Sequence, residues 1–194
     1  RCLGYTAERA PVNSPDEFLA FCGILGLGRL LAEGQAEHLP TLRACASDPR
    51  WRAREAVAMA LQRLGDADMP RLIAEMRIWA QGTPLEQRAA AAALCEPRLL
   101  KDPKNARAVL MILDQITASI SSMTNRRTED FLALRKGLGY CWSVAVAALP
   151  EEGKAFMEKW LRDTDADIRW IMKENLKKNR LVRVLGDAGV RLTA

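Results

Sequence analysis

Apolar residues recur along this chain at helical spacing, in short stretches separated by polar, glycine- or proline-bearing breaks. No stretch keeps the period-two alternation of a half-buried strand, so the pattern predicts an all-α protein. Residues 1–15, with Pro11 and Pro15, read as an extended arm. Ser14-Pro15-Asp16-Glu17 then supplies a helix start, with Ser14 as N-cap and acids beside the positive end of the dipole. Phe18, Phe21, Cys22 and Leu25 fall on one face of that helix, with Arg29 continuing it, and Gly34 is placed to take a left-handed cap. A shorter partner, about Gln35 to Ala46, carries Leu39, Leu42 and Cys45.

The same rhythm continues. Ser47-Asp48-Pro49 opens a helix with Trp51, Val57, Leu61 and Leu64 that should stop at Gly65, and its partner carries Leu72, Ile73, Met76 and Trp79. Thr83 and Glu86 form a capping-box pattern before the alanine run 89–93, and Asp102-Pro103 starts a partner with Val109, Ile112, Leu113, Ile116 and Ile120. After a polar loop, 121–128, a fourth pair covers 129–149 and 151–161, divided by Pro150. Asp165 opens the last helix, with Ile168, Ile171, Met172 and Leu176 apolar, followed by a truncated partner with Leu181, Val182 and Leu185.

About five consecutive helix pairs predict a stacked helical repeat array over residues 16–186, with 187–194 as a tail. Arg54, Arg88, Arg135 and Arg169 recur inside these helices at gaps of 34, 47 and 34 residues, which supports a repeat. A partly buried arginine must be paired, and acids such as Asp48, Asp130 and Asp167 recur nearby, so Arg54, Arg88 and Arg169 with Asp48 and Asp167 read as a structural ladder. The alternative is a groove in which guanidinium groups hold phosphate.

The segments 48–57 (Asp-Pro-Arg-Trp-Arg-Ala-Arg-Glu-Ala-Val) and 165–171 (Asp-Ala-Asp-Ile-Arg-Trp-Ile) resemble the first helix of HEAT repeats, where an Asp and an Arg recur beside an apolar ridge. That resemblance implies a right-handed α-α superhelix, a HEAT-like (armadillo-like) solenoid, whose usual work is binding a protein or peptide. A narrower set is similar to the HEAT-like DNA alkylation repair glycosylases. It comprises Phe131, Arg135-Lys136, Leu138-Gly139-Tyr140 and Phe156, with Trp51 before Arg54-Glu55. Those enzymes carry an aromatic-lined cleft and a catalytic aspartate, for which Asp163, three residues after Trp160, is the nearest candidate.

Composition changes this picture in a few places. The formal net charge is +5, and Lys173, Lys177, Lys178, Arg180 and Arg183 form the sharpest basic cluster. With Arg135 and Trp170 these residues are the candidate binding set, for an acidic surface or for nucleic acid. The cluster equally suits the soluble end cap of a solenoid. Five widely spaced cysteines without a CxxC pair read as buried thiols of a cytoplasmic protein, and a single histidine leaves no metal-ligand cluster. Of the five tryptophans, Trp79 and Trp142 read as core. Gly26 and Gly28 lack the Lys-Ser or Lys-Thr of a phosphate loop, so no cofactor is implied. The apolar run 18–32 is too short to span a bilayer and contains Arg29. The function read from these features is a non-enzymatic HEAT-repeat binding module for a protein or peptide, with a DNA-binding or glycosylase-like repair protein as the alternative.

Overall fold

The computed structural model describes residues 2–185, and among them every regular element is helical. Arg1, the 187–194 tail and the side chain of Leu185 lie outside the described residues. The chain divides into two units, Arg1–Glu75 and Met76–Ala194, with the boundary inside helix α4 (Met69–Trp79).

In the first unit, α1 (Glu17–Ala32) packs along α3 (Trp51–Ala67), with α2 (Leu39–Cys45) against both. The contact is closest at Gly28, where an added Cβ would sit 2.5 Å from Ala60 Cα. Such an approach is open only to a residue without a side chain at that point. α1 accordingly buries Ala20, Ile24, Leu27, Gly28 and Leu31 against the core. This rotates the expected stripe away: Phe18 and Cys22 are exposed, and Phe21 and Leu25 half-buried. The thiols also depart from expectation, for only Cys95 and Cys141 are buried, with Cys2 and Cys45 half-buried. α1 starts at Glu17 with Asp16 as its N-cap residue, Ser14 lying one turn earlier, and Gly34 takes the left-handed conformation at φ 94°.

The segment read as an extended arm is a short 3₁₀ helix, Cys2–Gly4, followed by successive turns. Arg50 holds it. Only 3% exposed, its guanidinium donates to Tyr5 O and Ala10 O, both at 3.0 Å, and to both oxygens of Asp48.

In the second unit, α5 (Pro84–Leu94), α6 (Pro103–Ser119), α7 (Glu129–Ala148), α8 (Pro150–Leu161), α9 (Ala166–Leu176) and α10 (Asn179–Leu185) follow one another through short turns. The Thr83–Glu86 capping box forms in both directions, and Asp102, Thr128 and Asp165 cap α6, α7 and α9 through their side chains. α3 differs from the sequence reading by running through Gly65 to Ala67.

Helices in this unit pack on their second neighbours as well as on their next ones. α5 contacts α7, and α7 contacts α9, while α6 contacts α8. Arg107 pairs with Glu152 and Asp114 with Lys159, each 45 residues apart, so α6 and α8 run in the same direction. Trp79 and Trp142 are fully buried, and the Trp142 indole donates to Thr117 Oγ1 at 3.0 Å. Buried on α9 are Ile168, Ile171, Met172 and Asn175, with Leu176 half-buried. Among the described residues no helix is long and apolar enough to cross a membrane.

The α1–α3 contact generates a paired test by urea unfolding. Gly28→Ala should destabilise the protein by about 2 kcal/mol, because the new methyl meets backbone that cannot swing away. Gly26→Ala, on the same helix with nothing within 4 Å, should stabilise it by about 0.5–1 kcal/mol.

Candidate binding site on α7 and α9

α7 and α9 together wall an open cavity of about 490 Å³. α7 contributes Arg135, Lys136, Gly139 and Tyr140, α9 contributes Trp170 and Glu174, and Lys178 enters from the turn before α10. Gly139 makes the arrangement possible. A Cβ there would lie 3.2 Å from Trp170 Cζ3 and 3.4 Å from Glu174 Cβ, so the absent side chain lets both residues settle against α7.

The Arg135 guanidinium carbon lies 3.9 Å from the Trp170 ring centroid, a cation–π geometry. Its Nε is 2.8 Å from Asp167 Oδ1, yet the N–H is not aligned on that oxygen and has no hydrogen-bond acceptor. The contact is a charge pairing rather than a satisfied hydrogen bond. At the other end, Arg180 donates to the Tyr140 hydroxyl and lies 4.7 Å over its ring, with Lys178 Nζ at 5.8 Å. A second cavity of about 410 Å³ is walled by Lys177, Lys178, Asn179, Arg180 and Arg183.

Carboxylates brace the edges. Burial acts against ionisation of Asp165, but hydrogen bonds from Arg126 (2.6 Å) and from the backbone N–H of Asp167 and Ile168 outweigh it and hold the carboxyl below its ordinary range. Arg126 also donates to Ile120 O and Met123 O, tying the loop before α7 to the start of α9. Glu174 is likewise lowered, first by the hydrogen bond from Lys177 and further by the charges of Lys178 and Arg135.

Beneath the cavity, Asn175 is 0% exposed and spans the two helices. Its Oδ1 accepts from Ser143 N at 2.8 Å, and its Nδ2 donates to Leu138 O at 2.8 Å and Ile171 O at 2.7 Å.

Of the residues singled out from sequence, Arg135, Trp170 and Lys178 meet in the first cavity, and Lys177, Lys178 and Arg180 in the second. Lys173 is exposed and lines neither. Arg54 donates to Asp48 O and Pro49 O, closing its own turn, while the Asp48 carboxylate is held by Arg50. Arg88 is half-buried, with its Cγ facing Gly137 across α5 and α7. Arg169 is exposed, and Asp167 instead meets Arg126 and Arg135. Asp163 accepts from Asp165 N at 2.8 Å and does not line the cavity. Arg50 and Arg126 were not read as important. Arg50 carried a signal, being two residues after Asp48, but Arg126 sits in a polar loop where nothing marks it. Among the described residues no group of His, Cys, Asp and Glu is placed to hold a metal ion.

Comparison with protein-family models, curated proteins and solved structures returned no match.

Two outcomes follow from this geometry. Asn175→Ala removes three buried hydrogen bonds to helix backbone and should lower the unfolding free energy by roughly 3 kcal/mol in urea titrations. Asp165→Asn keeps an N-cap but loses the charge opposite Arg126, which should cost about 1 kcal/mol at pH 7. Because the folded carboxyl titrates below its unfolded value, its contribution is fully present above about pH 4 and is lost as pH falls through the folded value. Unfolding curves of wild type and variant should therefore converge as the medium is acidified.

Proposed function

We propose that this protein is a non-enzymatic binding module of the HEAT-like kind, its helix pairs stacked as a right-handed superhelix over residues 16–186, and that it holds an acidic segment of a protein or peptide. The observation that carries the reading is the cavity on α7 and α9. Arg135, Lys136 and Lys178 stand there with Trp170 and Tyr140, against one carboxylate, Glu174. A surface combining cations and amphipathic rings favours carboxylate-bearing partners that also offer apolar contact. Helices that pack on their second neighbours, with α6 and α8 running in one direction, support the repeat assignment. Free thiols, Cys95 and Cys141 buried among them, support a cytoplasmic setting.

Nucleic acid is the second reading, favoured by the second cavity, whose wall is four cations and one asparagine and therefore suits phosphate. A glycosylase has less support, since Asp163 is spent on the turn before α9.

Fluorescence anisotropy with a labelled glutamate-rich peptide and a labelled DNA duplex separates the two. The peptide should bind, and changing Lys173, Lys177 and Lys178 together to alanine should weaken it about tenfold with folding unchanged. Binding of the duplex alone, weakening steeply with added salt, would transfer the assignment to nucleic acid.

A further inference from the structure

The first unit carries a pocket of opposite character. It has a volume of about 640 Å³, within the range of ligand sites, and Phe18, Phe21, Trp51, Glu17 and Glu55 line it with Arg52. Phe18 faces out because α1 turns Ala20, Ile24, Leu27, Gly28 and Leu31 inward. Phe18 is left 65% exposed and Trp51 50% exposed, and the Phe18 and Phe21 rings lie 6.1 Å apart and nearly parallel. Large aromatic groups held open to water beside a pocket mark a contact surface.

Charge decides what would cover it. Glu17 and Glu55 line it beside Arg52. Glu17 is 2% exposed, and its Oε2 accepts from Asn13 N (2.8 Å) and Arg52 Nη1 (3.1 Å). Its Oε1, like Ser14 Oγ in the same wall, is buried without any hydrogen-bond partner. An acceptor left in that state is costly, and a donor supplied from outside would relieve it. Arg52 displays the chemistry the site offers: its guanidinium lies 4.4 Å over the Trp51 ring while donating to the buried carboxylate.

We propose that this pocket receives the cationic head of an arginine or lysine side chain from a partner protein. The alkyl stem would lie on Phe18 and Phe21, and the charged nitrogens would face Trp51 and the carboxylates of Glu17 and Glu55. This site is independent of the cavity on α7 and α9, so either can fail without the other.

The test uses the full chain and a pentapeptide, Gly-Gly-Arg-Gly-Gly, with its twin carrying citrulline, the uncharged isostere, at the centre. Indole N–H resonances of the protein report binding. The arginine peptide should bind about tenfold more tightly than the citrulline peptide. Phe18→Ala and Glu55→Gln should each weaken it severalfold with an unchanged melting temperature, whereas the Lys173, Lys177 and Lys178 triple variant should leave it unaltered. A lysine peptide binding within a few-fold of the arginine peptide agrees with the proposal. Equal affinity for arginine and citrulline, no shift with either peptide, or binding that ignores both pocket variants would overturn it.

Discussion

Three helix pairs in this protein meet where one partner has no side chain, and the rotation of those helices is tied to that. Gly28 meets the Ala60 backbone in the first unit. In the second, Gly153 meets Val146, where a Cβ would come within 2.8 Å of Cα, and Gly139 meets Trp170. Helices brought this close gain dispersion along their whole length, but each contact admits one rotation only. With Ala20, Ile24, Leu27, Gly28 and Leu31 turned inward, Phe18 is left on the outer side. Once Gly139 faces α9, Trp170 lies flat against α7 and beneath Arg135.

Polar groups then complete what packing leaves undone, and their burial ranks their importance. Asn175, Arg50 and the Trp142–Thr117 pair lie in the interior, where an unmet donor or acceptor carries its full desolvation cost. Arg107–Glu152 and Lys159–Asp114 lie at the surface, where such pairs contribute a few tenths of a kilocalorie up to about 1 kcal/mol. The interior bonds therefore specify register between helices, while the outer ion pairs follow a register already set.

Local signals were legible in the sequence wherever a single residue type carries the physics. The Thr83–Glu86 box, the caps at Asp102 and Asp165, the break at Pro150 and the left-handed Gly34 all sit where they were expected, because each depends only on its neighbours along the chain. The burial of Trp79 and Trp142 was legible for the same reason of periodicity. The rotation of α1 was not. A count of apolar residues weights Phe18 and Phe21 above Gly28 and Ala20, whereas close packing reverses the order. At the site, the meeting of Arg135, Trp170 and Lys178 could be guessed only as a shared set, since their contact depends on Gly139 and on the path of the turn before α10. Arg126 was invisible because its partners, Asp165 and Asp167, are about 40 residues away and no spacing rule links them.

The two cavities described on α7, α9 and the turn into α10 differ in what holds their cations, and that difference shapes how each can bind. Arg135 already rests on Trp170 and against Asp167, so a ligand finds its guanidinium fixed in direction. A group oriented beforehand loses little conformational entropy on binding, which favours selectivity for the geometry of the acceptor. Lys177 and Arg183 are exposed, Lys177 tied only to Glu174 at the surface, and each must be reoriented by whatever it meets. Their contribution is mainly long-range attraction, screened by salt beyond about 8 Å at physiological ionic strength. An acidic partner would accordingly be gathered by the mobile cations and discriminated by Arg135, so that selectivity resides in the residue whose position Gly139 secures.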